Sequence, residues 1–207
     1  MYCCCSTEDG EAAMVEVDAH TAQDSYKTAE AGRDPGGPGC MFEVTVRKLN
    51  GQAGLEFSKA DTGVLTVSGI AQPGPVADWN NSCRPGEDVR LYDRVIKVNG
   101  KAGTALDLLS AMKADQEVFH LIIERPEIKE VQVSKQGREL GLVLFVSTAN
   151  RLHSGLVISV VKDDAIVSGV KPHDRIIQVN GRTLPPSELL EGVRAEELTM
   201  KVCCYNT

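Results

Sequence analysis

Aromatic residues are scarce in this chain of 207 residues, at 4% with one tryptophan. Hydrophobic residues reach 42%, so any core must be aliphatic. No apolar run approaches the roughly 20 residues that a helix needs to cross a bilayer. Met1-Tyr2-Cys3 leads into acidic residues rather than the apolar stretch of a secretory signal. These absences point to a cytoplasmic protein. Basic charge is not in excess either: the net charge is −7, and residues 1–40 hold eight acids against two bases. The remaining 21 acids and 20 bases nearly cancel. Without a basic stripe the chain lacks the electrostatic footprint of a nucleic-acid binder.

Catalytic and metal-binding motifs are missing as well. There is no Gly-x-Ser-x-Gly, no Walker loop, no dinucleotide fingerprint and no zinc-hydrolase motif. His20, His120, His153 and His173 stand in unrelated contexts. The seven cysteines are an odd number without framework spacing and form no Cys-x-x-Cys, so neither structural zinc nor a disulfide scaffold is expected. A non-enzymatic chain without cofactor or metal is the expectation. Cys3, Cys4 and Cys5 are adjacent and are candidates for S-acylation, which anchors stably when two or more chains attach. That would give peripheral membrane association through the N-terminus. Against it, Tyr2 stands where myristoylation needs glycine, and an anionic leaflet would repel the acids that follow.

What the chain does contain is a repeat. Asp93-Arg94-Val95-Ile96-Lys97-Val98-Asn99-Gly100 returns 81 positions later as Asp174-Arg175-Ile176-Ile177-Gln178-Val179-Asn180-Gly181. Each copy reads as a β-branched strand closed by Asn-Gly, a strong short-turn signal because both residues tolerate positive φ. Leu108, Leu109 and Met112 return as Leu189, Leu190 and Val193 at helical spacing. Phe119, Leu121 and Ile123 return as Met200, Val202 and Cys204 in strand alternation. Strand, turn, helix and strand recurring in register predict two copies of one module.

In order, residues 1–40 read as a disordered acidic tail, with too little apolar surface to offset ordering. Residues 41–125 form the first module and 128–207 the second, with only Arg125-Pro126-Glu127 at the joint. So short a linker cannot let the modules roam, but no interface is legible. Pro73-Gly74-Pro75 predicts a short helix through Trp79, followed by an exposed loop from Asn80 to Asp88 that the second copy lacks. Thr104 is the expected N-cap of a helix to Lys113. In the second module Asp163 or Asp164 is expected to cap a short helix over Ala165 to Ser168. A second helix is expected to begin at Pro185-Pro186-Ser187.

The order β-β-β-α-β-α-β, a Gly-Φ-x-Φ loop after the first strand (Φ being an apolar residue) and the late Val-Asn-Gly together resemble the PDZ family over residues 41 to about 205. The resemblance implies a mainly β fold of two tandem, partly open barrels, each with five to six strands and two helices. It also implies an adaptor whose partners are the C-terminal peptides of other proteins. These add as a strand between the second strand and the second helix. Gly54, Leu55, Glu56 and Phe57, and Gly141, Leu142, Val143 and Leu144, would hold the terminal carboxylate on converging amides. Lys48 and Arg138 would add positive charge. Leu55, Phe57, Leu109 and Met112 would line one pocket, and Leu142, Leu144, Leu190 and Val193 the other. Glu56 and Val143 stand where the family usually has glycine, and Glu56 is expected to weaken carboxylate binding unless it points to solvent. Ala105 and Pro186 occupy the helix start that often carries a histidine, so selection of Ser or Thr two residues before the ligand's end is expected to be absent. A competing reading is a membrane tether with an acylated N-terminus and one degenerate module.

Overall fold

Two antiparallel sheets of five strands each follow one another along the chain in a computed structural model. The structure describes residues 37–58, 63–114, 116–146 and 152–206, all within one compact unit. Cys3, Cys4, Cys5 and most of the acidic tail lie outside the described residues. The first sheet holds β1 (Met41–Arg47), β2 (Leu55–Phe57), β3 (Leu65–Ile70), β4 (Arg94–Val98) and β5 (Val118–Glu124), with α1 (Pro75–Ser82) and α2 (Ala105–Lys113). The second holds β6 (Glu127–Ser134), β7 (Leu142–Val146), β8 (Leu156–Val161), β9 (Arg175–Val179) and β10 (Glu197–Cys204), with α3 (Pro186–Gly192). Strand orders are β1-β5-β4-β3-β2 and β6-β10-β9-β8-β7, so corresponding strands take corresponding places. The fold is mainly β, and neither sheet closes into a barrel.

The local signals explain most elements. β1 alternates strictly, with Phe42, Val44 and Val46 buried. Asn99-Gly100 and Asn180-Gly181 take positive φ at both residues, and the strands close across them as two-residue hairpins at Val98–Lys101 and Val179–Arg182. The asparagine side chains then bind the last strand of their own sheet. Asn99 Oδ1 accepts from the His120 amide and Asn180 Oδ1 from the Thr199 amide, each at 2.8 Å. Thr104 caps α2 in a full capping box with Asp107, which is why the helix starts where it does. Each sheet has its own core, aliphatic in the second, while the first also buries Phe42 and Phe119. Val44, Leu65, Val95, Leu108 and Ile123 belong to the first, and Leu156, Ile176, Leu189, Met200 and Val202 to the second.

Two expectations need correction. Among the described residues the second module has one helix, not two: a turn at Asp163-Asp164 leads into irregular chain from Ala165 to Ser168, with a bend at Ile166. The reason is length. Twenty-two residues (71–92) separate β3 from the repeated Asp-Arg, but only twelve (162–173) separate β8 from its copy. The shorter segment must still turn back to β9, which leaves no room for a helix. In the first module α1 runs on to Ser82, and the chain after it is tied down rather than free. Asn80 brackets Val89, donating to its carbonyl and accepting from its amide at 2.8 Å each, and Trp79 Nε1 donates to the Glu87 carbonyl at 3.0 Å.

An interface that the sequence did not disclose joins the modules. Arg94 and Arg175, the arginines of the repeat, are 1% and 0% exposed. Arg94 donates to the His173 carbonyl, and its guanidinium lies 3.2 Å from the centre of the Tyr205 ring. Arg175 Nη1 donates to Ser58 Oγ at 3.2 Å and to the Ser154 carbonyl. Tyr205 donates its hydroxyl to the Tyr92 carbonyl at 2.8 Å, and Tyr92, Cys203 and Tyr205 form an apolar cluster of their own. Asn206 closes the seam, giving its amide to Glu124 at 2.8 Å and its side chain to the Gly39 carbonyl at 2.9 Å. Burial in this seam pushes the Cys203 thiol and the Tyr92 hydroxyl up to about 12 each, so the thiol is inert.

Candidate functional site

In each sheet the strand that follows the glycine turn, β2 or β7, is an edge strand. Among the described residues no strand pairs with its outer side. An edge strand presents a row of backbone donors and acceptors ready for another chain. In each module α2 or α3 lies over the same core as that strand. α2 packs on β4, whereas α3 reaches β7, β8 and β9. Leu55, Phe57, Leu109 and Met112 sit half-buried against the first core. Leu142, Leu144 and Leu190 do the same against the second. Val193 is set apart from these: it is 6% exposed and belongs to the second core itself. Ala105 and Pro186 are buried at the helix starts, and neither side chain carries a hydrogen-bonding group.

The two glycine turns are built alike. Gly54 and Gly141 have φ of +77° and +74°, the left-handed region that glycine enters without strain. In the first turn the Ala53 carbonyl accepts from the Val76 amide at 3.2 Å and the Gly54 carbonyl from the Ala71 amide at 2.9 Å. In the second, Leu140 accepts from Ile166 at 3.2 Å and Gly141 from Lys162 at 2.8 Å. In a planar trans peptide the N–H points opposite to the C=O. With those carbonyls engaged on the body, the amides of Gly54 and Leu55, and of Gly141 and Leu142, are aimed away from it. Successive amides directed to one place make an anion nest.

The turns differ in how tightly they are backed. A Cβ on Gly54 would meet the Pro75 ring at 3.3 Å, whereas one on Gly141 would stand 2.4 Å from the Ala165 Cα. We therefore expect Gly54→Ala to cost about 1 kcal/mol, the left-handed penalty alone. Gly141→Ala should cost about 3 kcal/mol, because backbone must also move. Urea midpoints of the two variants check this ordering, and equal losses would show that the second turn relaxes freely.

Glu56 points to the face of β2 opposite Leu55 and Phe57, and its side chain lies over Gly69 of β3. It is exposed there. The condition under which it would not oppose a carboxylate is thus the one met. Val143, its counterpart, is 44% exposed on the outer face of β7. Lys48 is placed at the end of α2: its ammonium donates to the Ala114 carbonyl at 2.5 Å and sits 4.4 Å from the Phe119 ring centre. Its structural counterpart is Lys135, which donates to the Val193 carbonyl at 2.6 Å at the end of α3. Arg138 is exposed and does not share that position. Lys48 and Lys135 each stand six residues before the turn glycine, a spacing that could have identified the pair. A cation on the last carbonyls of a helix also favours the helix dipole.

Among the described residues no helix is long and apolar enough to cross a membrane. No family model matches the chain, and no curated protein matches it. Solved structures do. INAD PDZ45 in complex with an NG2 peptide is 19% identical, with 86% of this chain and 98% of that one covered and a TM-score of 0.37. INAD PDZ45 with NORPA CC-PBM is 17% identical, covering 85% of this chain and 99% of that one at a TM-score of 0.35. The PDZ domain of a choanoflagellate GIPC bound to a B1AR peptide is 19% identical, covering 43% and 94% at a TM-score of 0.35. The solved structures that this chain is similar to are thus PDZ domains, singly and in tandem.

Proposed function

We propose that the protein is a non-catalytic adaptor whose two grooves take the free C-terminal ends of partner proteins as added strands. The observation that carries this reading is the twin arrangement of an edge strand, a helix whose apolar residues pack on the same core and a glycine turn with outward amides. Main-chain donors at the turn would hold the terminal carboxylate, and the edge of β2 or β7 would pair with the backbone behind it. The groove residues of the proposal are Gly54, Leu55, Phe57, Leu109 and Met112 in the first module and Gly141, Leu142, Leu144 and Leu190 in the second. Since Ala105 and Pro186 offer no hydrogen bond, the residue two before the ligand's end is selected for apolar character or only loosely.

A library of peptides with free C-terminal acids, screened against the full chain, tests this. Binders should end in an apolar residue. Converting their carboxylate to the amide should weaken binding by about 2–3 kcal/mol, the worth of hydrogen bonds to a charged group. Equal binding of acid and amide would remove the carboxylate site, and strong Ser/Thr selection two before the end would overturn the specificity reading. Attachment to membrane through acylated Cys3, Cys4 and Cys5 is a separate part of the proposal. Hydroxylamine-labile acyl label on the wild type, lost from the triple serine variant, would support it, and no label at all would dismiss it.

A further inference from the structure

The outer face of the second sheet carries an apolar patch at its free edge. Val143 and Phe145 of β7 are each 44% exposed, and Val160 of β8, directly across from Val143, is 48% exposed. They stand on the face away from the second core, on which Leu142, Leu144 and Val146 pack. Across from Phe145 on β8 is Val157, only 4% exposed. Val157 in turn neighbours Arg175, which reaches Ser58 of the first module. This face is therefore covered around Val157 and Arg175 and open beyond them, toward the edge. The first module has no such patch, because Glu56 and Gly69 form the cross-strand pair that Val143 and Val160 form in the second. Contiguous exposed apolar side chains mark a surface that another molecule covers.

What covers it follows from its place on the edge strand. Side chains of a strand alternate between its two faces. A tail whose last side chain enters the groove beside Leu142, Leu144 and Leu190 sends the residues one and three before its end to the opposite face. With its carboxylate at Gly141 the tail ends where β7 begins, so it runs antiparallel to β7. The residue one before the end then stands beside Val143, and the residue three before it beside Phe145. Cross-strand neighbours on one face interact directly, and aromatic and β-branched side chains favour each other there. We infer that the second groove takes C-terminal tails that are apolar on both faces, with aromatic or β-branched residues one and three before the end lying on Val143, Phe145 and Val160. This inference rests on the carboxyl-end reading above. A tail on β2 meets Glu56 instead, so the first groove does not select that pattern.

The test uses the full chain and matched free-acid peptides that differ only at those two positions. One carries Phe one residue and Val three residues before the end, and the other carries Ser at both. The apolar peptide should bind the wild type about 10-fold more tightly, as two apolar cross-strand pairs allow. Leu190→Lys, which puts a charge in the second groove, should remove that difference while the first groove still binds both peptides, which also shows that the variant is folded. Val143→Glu with Phe145→Glu should invert the preference, so that a peptide with Lys at both positions binds more tightly than the Phe/Val one. A variant that had merely lost its fold would bind neither. Equal affinities of the apolar and serine peptides for the wild type would overturn the inference, as would a preference left unchanged by the two glutamates. Self-association of the wild type in sedimentation, abolished by Val143→Glu, would also overturn it, because the patch would then belong to a second copy of the chain. If no free-acid peptide binds at all, the carboxyl-end reading falls and the inference with it, so the two failures are told apart.

Discussion

Arg125→Ala should lower the stability of the chain by about 3–5 kcal/mol at pH 8 and by much less at pH 5. Arg125 stands at the end of β5, in the joint between the two sheets, and is 5% exposed. Its guanidinium holds Asp93, itself 1% exposed, through Nε at 3.3 Å and Nη2 at 3.1 Å. It also donates to the carbonyls of Gly86 (2.8 Å) and Asp88, which fixes the loop after α1, and it stacks 4.9 Å from the Phe42 ring centre. Removing one partner of a buried pair leaves the other charge without compensation, and that is the costly event.

The pH dependence follows from Asp93. Burial pushes its carboxyl up from the ordinary 3.8 to about 6, and Arg125 is the largest influence in the opposite direction. A group whose pKa rises on folding binds more protons in the folded chain. Its contribution is therefore fully present below about 3.8 and is lost as the pH climbs through about 6. In the variant Arg125 no longer opposes burial, so the carboxyl moves higher still. At pH 8 it must be carried into the fold as a buried, unpaired charge. At pH 5 it folds neutral, and only the lost packing and carbonyl contacts remain. Urea midpoints at the two pH values, read from the single tryptophan, measure this. A loss that is the same at both would mean that packing, not charge, accounts for Arg125.

The second large effect is expected at the seam. Arg94→Ala with Tyr205→Ala should remove about 4–5 kcal/mol, because it deletes a desolvated cation–π pair and leaves the His173 and Tyr92 carbonyls without these buried donors. It should also change the form of the transition. Trp79 packs on the first core, so its fluorescence reports the first module, whereas far-UV dichroism reports both sheets. In the wild type the two midpoints should coincide, since the seam makes the folding of one module depend on the other. In the double variant they should part. Coincident midpoints and an unchanged stability would show that the modules fold as independent bodies that happen to touch.

The strands, the hairpin turns and the helices α2 and α3 were legible because each is encoded within a few residues. Thr104 and Asp107 fix the start of α2 by a capping box four residues long, and Asn99-Gly100 sets a hairpin by the φ it tolerates. The alternation puts Leu55 and Phe57 on one face of β2 and Glu56 on the other; that the first face lines a groove came from the family resemblance. Val193 lies in the second core rather than beside Leu190, for a related reason. At helical spacing from Leu189 and Leu190 it reads as part of the same stripe, but α3 ends at Gly192, and the C-cap residue turns into the core. The missing helix over Ala165 to Ser168 is an error of length: capping residues were present, but the chain available between β8 and β9 was not counted against what a helix and its return require.

The sequence by itself determined the repeat, the order of the strands and the turn glycines. These rest on periodicity, φ preference and composition, which act over short stretches and survive in a repeat. Only the tertiary structure decided what Asp-Arg is for. Those residues marked the repeat, yet the work of Arg94 and Arg175 is to reach across to His173 and Ser58, which lie 79 and 117 residues away along the chain. Burying a guanidinium needs donors and acceptors from both modules in one place, and no local pattern carries that requirement.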